Sequence, residues 1–97
     1  MPISIKSEKE INLMRESGRI LASVLRELEE EICDGITTLD IDKKCHELIK
    51  SYGCIPSFLN YNGFPASICV SVNDQVVHGI PSRKKVINNG DIVSLDC

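Results

Sequence analysis

The sequence predicts an α+β fold, and two contrasts along its 97 residues carry that expectation. Up to Gly53 the apolar residues recur at intervals of three and four, the rhythm of amphipathic helices, and each periodic stretch opens on a capping pattern. After Gly53 the apolar runs are short and rich in β-branched residues, punctuated by Asn62-Gly63, Asn73-Asp74 and Asn89-Gly90. Helices come first and strands second, without the alternation that builds a parallel sheet. Two helices packed on a small, mostly antiparallel sheet are therefore expected. The length suits one domain, residues 1–97, with a helical leader over 1–53 and a sheet over 54–97.

The first helix is expected to start near Glu8, because Ser7 followed by Glu10 can form a reciprocal capping box. Ile11, Met14, Leu21, Leu25, Leu28 and Ile32 then share one face, with Gly18 among them. Glu27 and Glu29 to Glu31 crowd the far end, against the helix dipole, and make a solvated acidic face. Asp34-Gly35 should end the helix, Gly35 supplying a left-handed residue. Thr37 with Asp40 repeats the capping pattern and opens a second helix, whose apolar face holds Ile41, Cys45, Leu48 and Ile49 and which Gly53 closes. His46, among Lys43, Lys44 and Glu47, belongs to the polar side and is expected to be an exposed helical histidine. Beyond Gly53, the predicted strands are Ile68 to Val72, a short Val76-Val77-His78, and Ile92 to Cys97. Asn62-Gly63 makes a hairpin or a short loop that carries exposed aromatics.

Composition narrows the function classes. A net charge of −3 with one basic run, Arg83-Lys84-Lys85, gives no basic stripe and argues against nucleic acid as a partner. No apolar stretch approaches a membrane span, and the N-terminus lacks the cationic start and apolar block of a signal peptide, so a cytoplasmic protein is expected. Five widely spaced cysteines without a Cys-x-x-Cys pair fit neither a zinc ribbon nor a secreted disulfide framework. Reduced, half-buried thiols are expected instead.

The candidate chemistry lies between Tyr61 and Asp96. His78 sits where an apolar run breaks into Gly79-Ile80-Pro81. It can donate to a substrate carbonyl or hold a leaving amine, or it can satisfy a loop carbonyl. Alternation puts Val93, Leu95 and Cys97 on one face of the last strand and Ile92, Ser94 and Asp96 on the other. Asp96 is then a solvent-facing carboxylate or, if that face lines a cleft, a metal ligand. Cys69 is better suited to line a pocket than to act as a nucleophile, since no helix start or nucleophile elbow is present to activate it. Phe58, Tyr61 and Phe64 around the glycine turn form an apolar pocket wall or pack down on the sheet.

Four segments in register are more specific than any one of them. Asn60-Tyr61-Asn62-Gly63-Phe64-Pro65, Ser67 to Asn73, Val77-His78-Gly79-Ile80-Pro81 and Gly90 to Asp96 closely resemble the type I methionine aminopeptidases in order and spacing. Asp34-Gly35-Ile36-Thr37-Thr38 is similar to the same family's leader. The resemblance implies the pita-bread fold, two related α/β halves around a dinuclear metal site, of which this chain would supply the N-terminal half. It implies removal of the initiator methionine from nascent polypeptides with a small second residue. It also implies two divalent ions per complete site, with cobalt, manganese, iron, zinc and nickel not distinguished. Position by position, Asp96 matches the first metal-binding aspartate. His78 matches the histidine that contacts substrate and assists the tetrahedral transition state. Tyr61, Phe64 and Cys69 fall in the methionine pocket.

Phe64 replaces a Tyr of some members, and Phe58 stands where some carry a cysteine. The family's remaining metal ligands have no counterpart here, so residues 1–97 are expected to be part of a longer enzyme, inactive without a C-terminal half. The competing expectation is a non-catalytic peptide-binding or interaction module of the same fold.

Overall fold

A computed structural model describes residues 3–97; Met1-Pro2 lies outside the described residues. Helix α1 spans Glu8–Glu31 and helix α2 spans Thr38–Ser51. A single 3₁₀ turn over Tyr61–Gly63 leads to strand β1, Cys69–Val72, which pairs antiparallel with β2, Val93–Asp96. The fold is two helices on a two-stranded antiparallel sheet, as the sequence leads one to expect.

Both capping boxes form. The Ser7 hydroxyl accepts from the Glu10 amide at 3.2 Å, and Glu10 Oε1 accepts from the Ser7 amide at 2.8 Å. Thr37 and Asp40 repeat the exchange at 3.1 Å in both directions. Each box satisfies backbone donors that a helix start leaves orphaned. Helix α2 ends in a Schellman motif, with Gly53 at φ 75° and the amides of Gly53 and Cys54 donating to Lys50 and Ile49 carbonyls.

Helix α1 ends earlier than expected, at Glu31 rather than at Asp34-Gly35. Its last turn carries carboxylates and no cation, which the helix dipole disfavours. Gly35, at φ 92°, serves instead the turn into α2.

The core joins Val24 and Leu28 of α1, Ile41 and Cys45 of α2, and Ile68, Val70, Val72 and Ile87. Half-buried Val93, Leu95 and Cys97 pack against it. The alternation expected in the last strand is therefore observed. The apolar face of α1 is covered over only part of its length: Leu28 is fully buried, while Met14 is 58% exposed and Ile11 and Leu21 also face solvent. The five cysteines are free thiols.

Between the helices and β2, residues 82–89 run alongside the start of α2. The Thr38 hydroxyl both donates to the Ser82 carbonyl and accepts from its amide, at 3.1 and 2.8 Å. Ile87 donates to the Ile36 carbonyl at 2.7 Å, Gly35 donates to that of Ile87 at 2.8 Å, and the Asn89 amide donates to Asp34 Oδ1 at 2.9 Å. These bonds fix the approach of the chain to β2.

The expected strand over Val76-Val77-His78 is not present. Val76 and Val77 are exposed, and His78 lies at φ 57°, in the left-handed region that no strand residue occupies. A β-branched pair gives strand propensity, but here the segment meets the free edge of β1 only at Gly79, and Val76 and Val77 stay in solvent.

Candidate functional site

The register of the sheet decides which side chains share its outer face. Cys69 pairs with Asp96, Val70 with Leu95, Ser71 with Ser94 and Val72 with Val93. Directly opposed residues point to the same side, so Val70, Val72, Val93 and Leu95 take the core side. Cys69, Ser71, Ser94 and Asp96 take the other. Ser94 and Asp96 are exposed, while Cys69 and Ser71 are buried beneath the loops that cross them.

Two loops build on that face. In the first, the Tyr61 amide donates to the Phe58 carbonyl at 3.0 Å and the Asn60 amide to Phe64 at 2.9 Å. Asn60 at φ 65°, Asn62 at φ 49° and Gly63 at φ 78° allow so tight a reversal, which is a short loop and not a β-hairpin. It brings Phe58 and Phe64 into an edge-to-face contact, ring centroids 6.0 Å apart at 69°.

The second loop carries His78. The Gly79 carbonyl accepts from the Val70 amide at 2.9 Å and the Gly79 amide donates to the Ser71 hydroxyl at 3.0 Å, which docks the loop along the free side of β1. A Cβ on Gly79 would run into the Val70 carbonyl and the Ser71 Cα, so only glycine fits there. The neighbouring His78 is held in a left-handed backbone conformation, a strained state for a residue with a side chain.

Between the loops lies a cavity of about 460 Å³ lined by Phe58, Tyr61, Asn62, Gly63, Phe64, Pro65, Cys69, His78 and Ile80. Four of the five site residues named from the sequence, His78, Tyr61, Phe64 and Cys69, thus meet around one space. The fifth, Asp96, is not among the lining residues; it stands across the sheet from Cys69. Burial pushes the Cys69 thiol up, and the charge of Asp96 adds to the same effect, so Cys69 is a neutral, apolar wall rather than a nucleophile.

Sequence reasoning missed Ile80 and Pro65, because a lone apolar residue beside Gly or Pro gives no periodic signal. It also misplaced His46. Its ring is half-buried, and Nδ1 lies 2.9 Å from the Ser67 hydroxyl. Lysines and a glutamate beside it in sequence pointed outward; the buried Ser67 that draws it in is 21 residues away.

Among the described residues no three His, Cys, Asp or Glu side chains come together as a metal site. Asp96 is a suitable donor but a single one, and catalytic centres usually supply about three protein ligands per ion. The residues present do not by themselves form a metal centre.

Residues 12–97 match the model of metallopeptidase family M24. The chain belongs to that family. A methionine aminopeptidase of Clostridium acetobutylicum is 50% identical over 95 residues, which are 98% of this chain and 38% of that protein. Methionine aminopeptidase 1 of Bacillus subtilis is 49% identical over 97% of this chain and 38% of its own length. The crystal structure of methionine aminopeptidase from Rickettsia prowazekii superposes with a TM-score of 0.93 at 42% identity, over 98% of this chain and 38% of that one. The Thermotoga maritima enzyme gives 0.92 at 40% identity, over 97% and 38%. This M24 chain therefore has part of the pita-bread fold and spans 38% of the length of these relatives. Divalent metal ions are implied by a metallopeptidase family.

Proposed function

We propose that this chain is the N-terminal part of a methionine aminopeptidase catalytic domain, which removes the initiator methionine from nascent polypeptides whose second residue is small. The observation that carries the reading is the cavity: an apolar, aromatic space with a histidine on its wall, beside the sheet face that presents Asp96. An unbranched thioether suits such a lining, because sulfur packs well against aromatic edges and a neutral thiol. Tyr61, Phe64 and Cys69 hold the methionine side chain. His78 donates to the substrate carbonyl and steadies the departing amide nitrogen.

Asp96 is one ligand of a site for two divalent ions, and the remaining donors come from a C-terminal half of a longer protein. The 97 residues alone are inactive, for want of ligands. The whole enzyme works in the cytoplasm on emerging N-termini.

The test is release of methionine from a Met-Ala peptide by the full-length protein, with cobalt or manganese added. His78→Ala should lower kcat about a hundredfold or more. Asp96→Ala should abolish turnover. Saturable, metal-independent peptide binding without release of methionine would sink the enzymatic reading and favour a binding module.

A further inference from the structure

Helix α2 meets the residues leading into β1 through two polar side chains one turn apart. Asp42 Oδ1 accepts the backbone N–H of Ser67 at 2.7 Å, and His46 Nδ1 lies 2.9 Å from the Ser67 hydroxyl. Positions i and i+4 share a helix face, so both side chains can reach one neighbour. Ser67 is buried, with buried Ala66 and Ile68 on either side. A buried amide and a buried hydroxyl are costly when unpartnered, and here each has its own partner on α2. The adjoining face of α2 puts Ile41 and Cys45 in the core, which makes the helix a firm anchor.

Ser67 stands midway between Pro65 and Cys69, both of which border the cavity. At the other end, the chain is pinned by Gly79, which bonds Val70 and Ser71. The segment that forms one cavity wall is thus held at two points, by α2 before β1 and by the His78 loop along it. Asp42 and His46 are absent from the lining itself.

We propose that Asp42 and His46 are positioning residues: by clamping Ser67 to α2 they set the wall between Pro65 and Cys69, and so the fit of the side chain the cavity takes. This rests on the reading of the cavity as the methionine pocket. A displaced wall weakens binding of the apolar side chain in ground and transition states alike, and so raises KM while leaving kcat in place.

The test uses the full-length protein and compares His46→Ala, His46→Asn and Asp42→Ala. Asn puts an amide atom where Nδ1 sits and keeps a hydrogen bond to Ser67; Ala does not. Kinetics on a Met-Ala peptide are read beside iodoacetamide alkylation of Cys69 and Cys45, resolved by peptide mass spectrometry. Each alanine variant should raise KM about 5- to 20-fold with kcat changed less than about threefold. Alkylation of Cys69 should quicken several-fold while that of core Cys45 stays unchanged, and Asn should restore both measures at position 46. Equal quickening at Cys45 and Cys69 without rescue by Asn signals general loosening and overturns the proposal. So does a loss confined to kcat, or no change in either measure. If the wild type releases no methionine, the enzymatic reading fails, and the Cys69 rates alone then decide whether the clamp exists.

Discussion

The two ends of helix α1 carry the same apolar rhythm and meet different surroundings. Toward its C-terminus, Val24 and Leu28 are sealed against α2 and the sheet, and the Tyr52 hydroxyl donates to Glu27 at 3.1 Å. Toward its N-terminus, Ile11 and Met14 continue the stripe and lie open to solvent. An amphipathic period tells which face of a helix is apolar; it does not tell whether anything covers that face. Propensity and the Ser7 cap sustain the first half of α1, whereas tertiary packing sustains the second.

The largest effect that can sharpen this contrast is a pair of truncations. Leu28→Ala should destabilise by about 3 kcal/mol, the cost of a cavity in a close-packed core. Met14→Ala should fall within about 0.5 kcal/mol of zero, as a surface change does. Urea unfolding of both variants measures the difference. A large loss for Met14→Ala in the full-length protein would break the contrast, by showing that another part of the molecule covers that stripe.

A smaller effect separates the two caps. Thr37→Ala removes the cap of a helix whose first turn is tied to Ser82, Lys85 and Val86, and should cost about 1 kcal/mol of global stability. Ser7→Ala should leave the unfolding midpoint almost unchanged and only fray the first turn. Amide exchange at Glu10 and Ile11 would detect the fraying.

The smallest effect is acid sensitivity. Hydrogen bonds from the Ser7 and Thr37 backbone amides, with help from their hydroxyls, hold the Glu10 and Asp40 carboxyls below their ordinary values. The amide of Asn88 and the side chain of Asn73 do the same for Asp91. Lowered folded values mean that these carboxylates stabilise the fold above the unfolded values near 3.8 to 4.5, and that the contribution disappears as pH falls through the folded ones. An acid titration followed by circular dichroism should show Asp40→Asn with a shallower decline below pH 4.5 than the wild type, starting from a lower plateau. An unchanged slope would assign the acid response elsewhere.

What could be read from the sequence was chiefly local. Ser7 with Glu10, Thr37 with Asp40 and Gly53 act within one turn of themselves, and all three do what their spacing implies. The alternation of Val93, Leu95 and Cys97 is likewise a property of a single strand. What failed depended on partners far along the chain. Val76-Val77 has the composition of a strand, yet it is Gly79 that meets the free edge of β1; His46 has polar neighbours in sequence and a buried serine in space. Tyr61, Phe64, Cys69 and His78 were singled out through family resemblance, because the loops that gather them have no periodicity to read. The left-handed backbone of His78 left no trace in composition at all, since glycine is the residue that advertises such conformations.

The bonds that fix the approach of the chain to β2 also bear on the order in which the molecule assembles. The two helices close through local contacts and one short turn, whereas Thr38 meets Ser82 across 44 residues and Asp34 meets Asn89 across 55. Long loops lose entropy before their contacts form, so such pairings come late. A nascent chain that has reached the aromatic loop already holds every residue of the helical layer, yet lacks the strands on which the cavity is built. The paired sheet is then the later feature to appear, and the ordering of β2 against β1 marks a stage after the helical layer has closed.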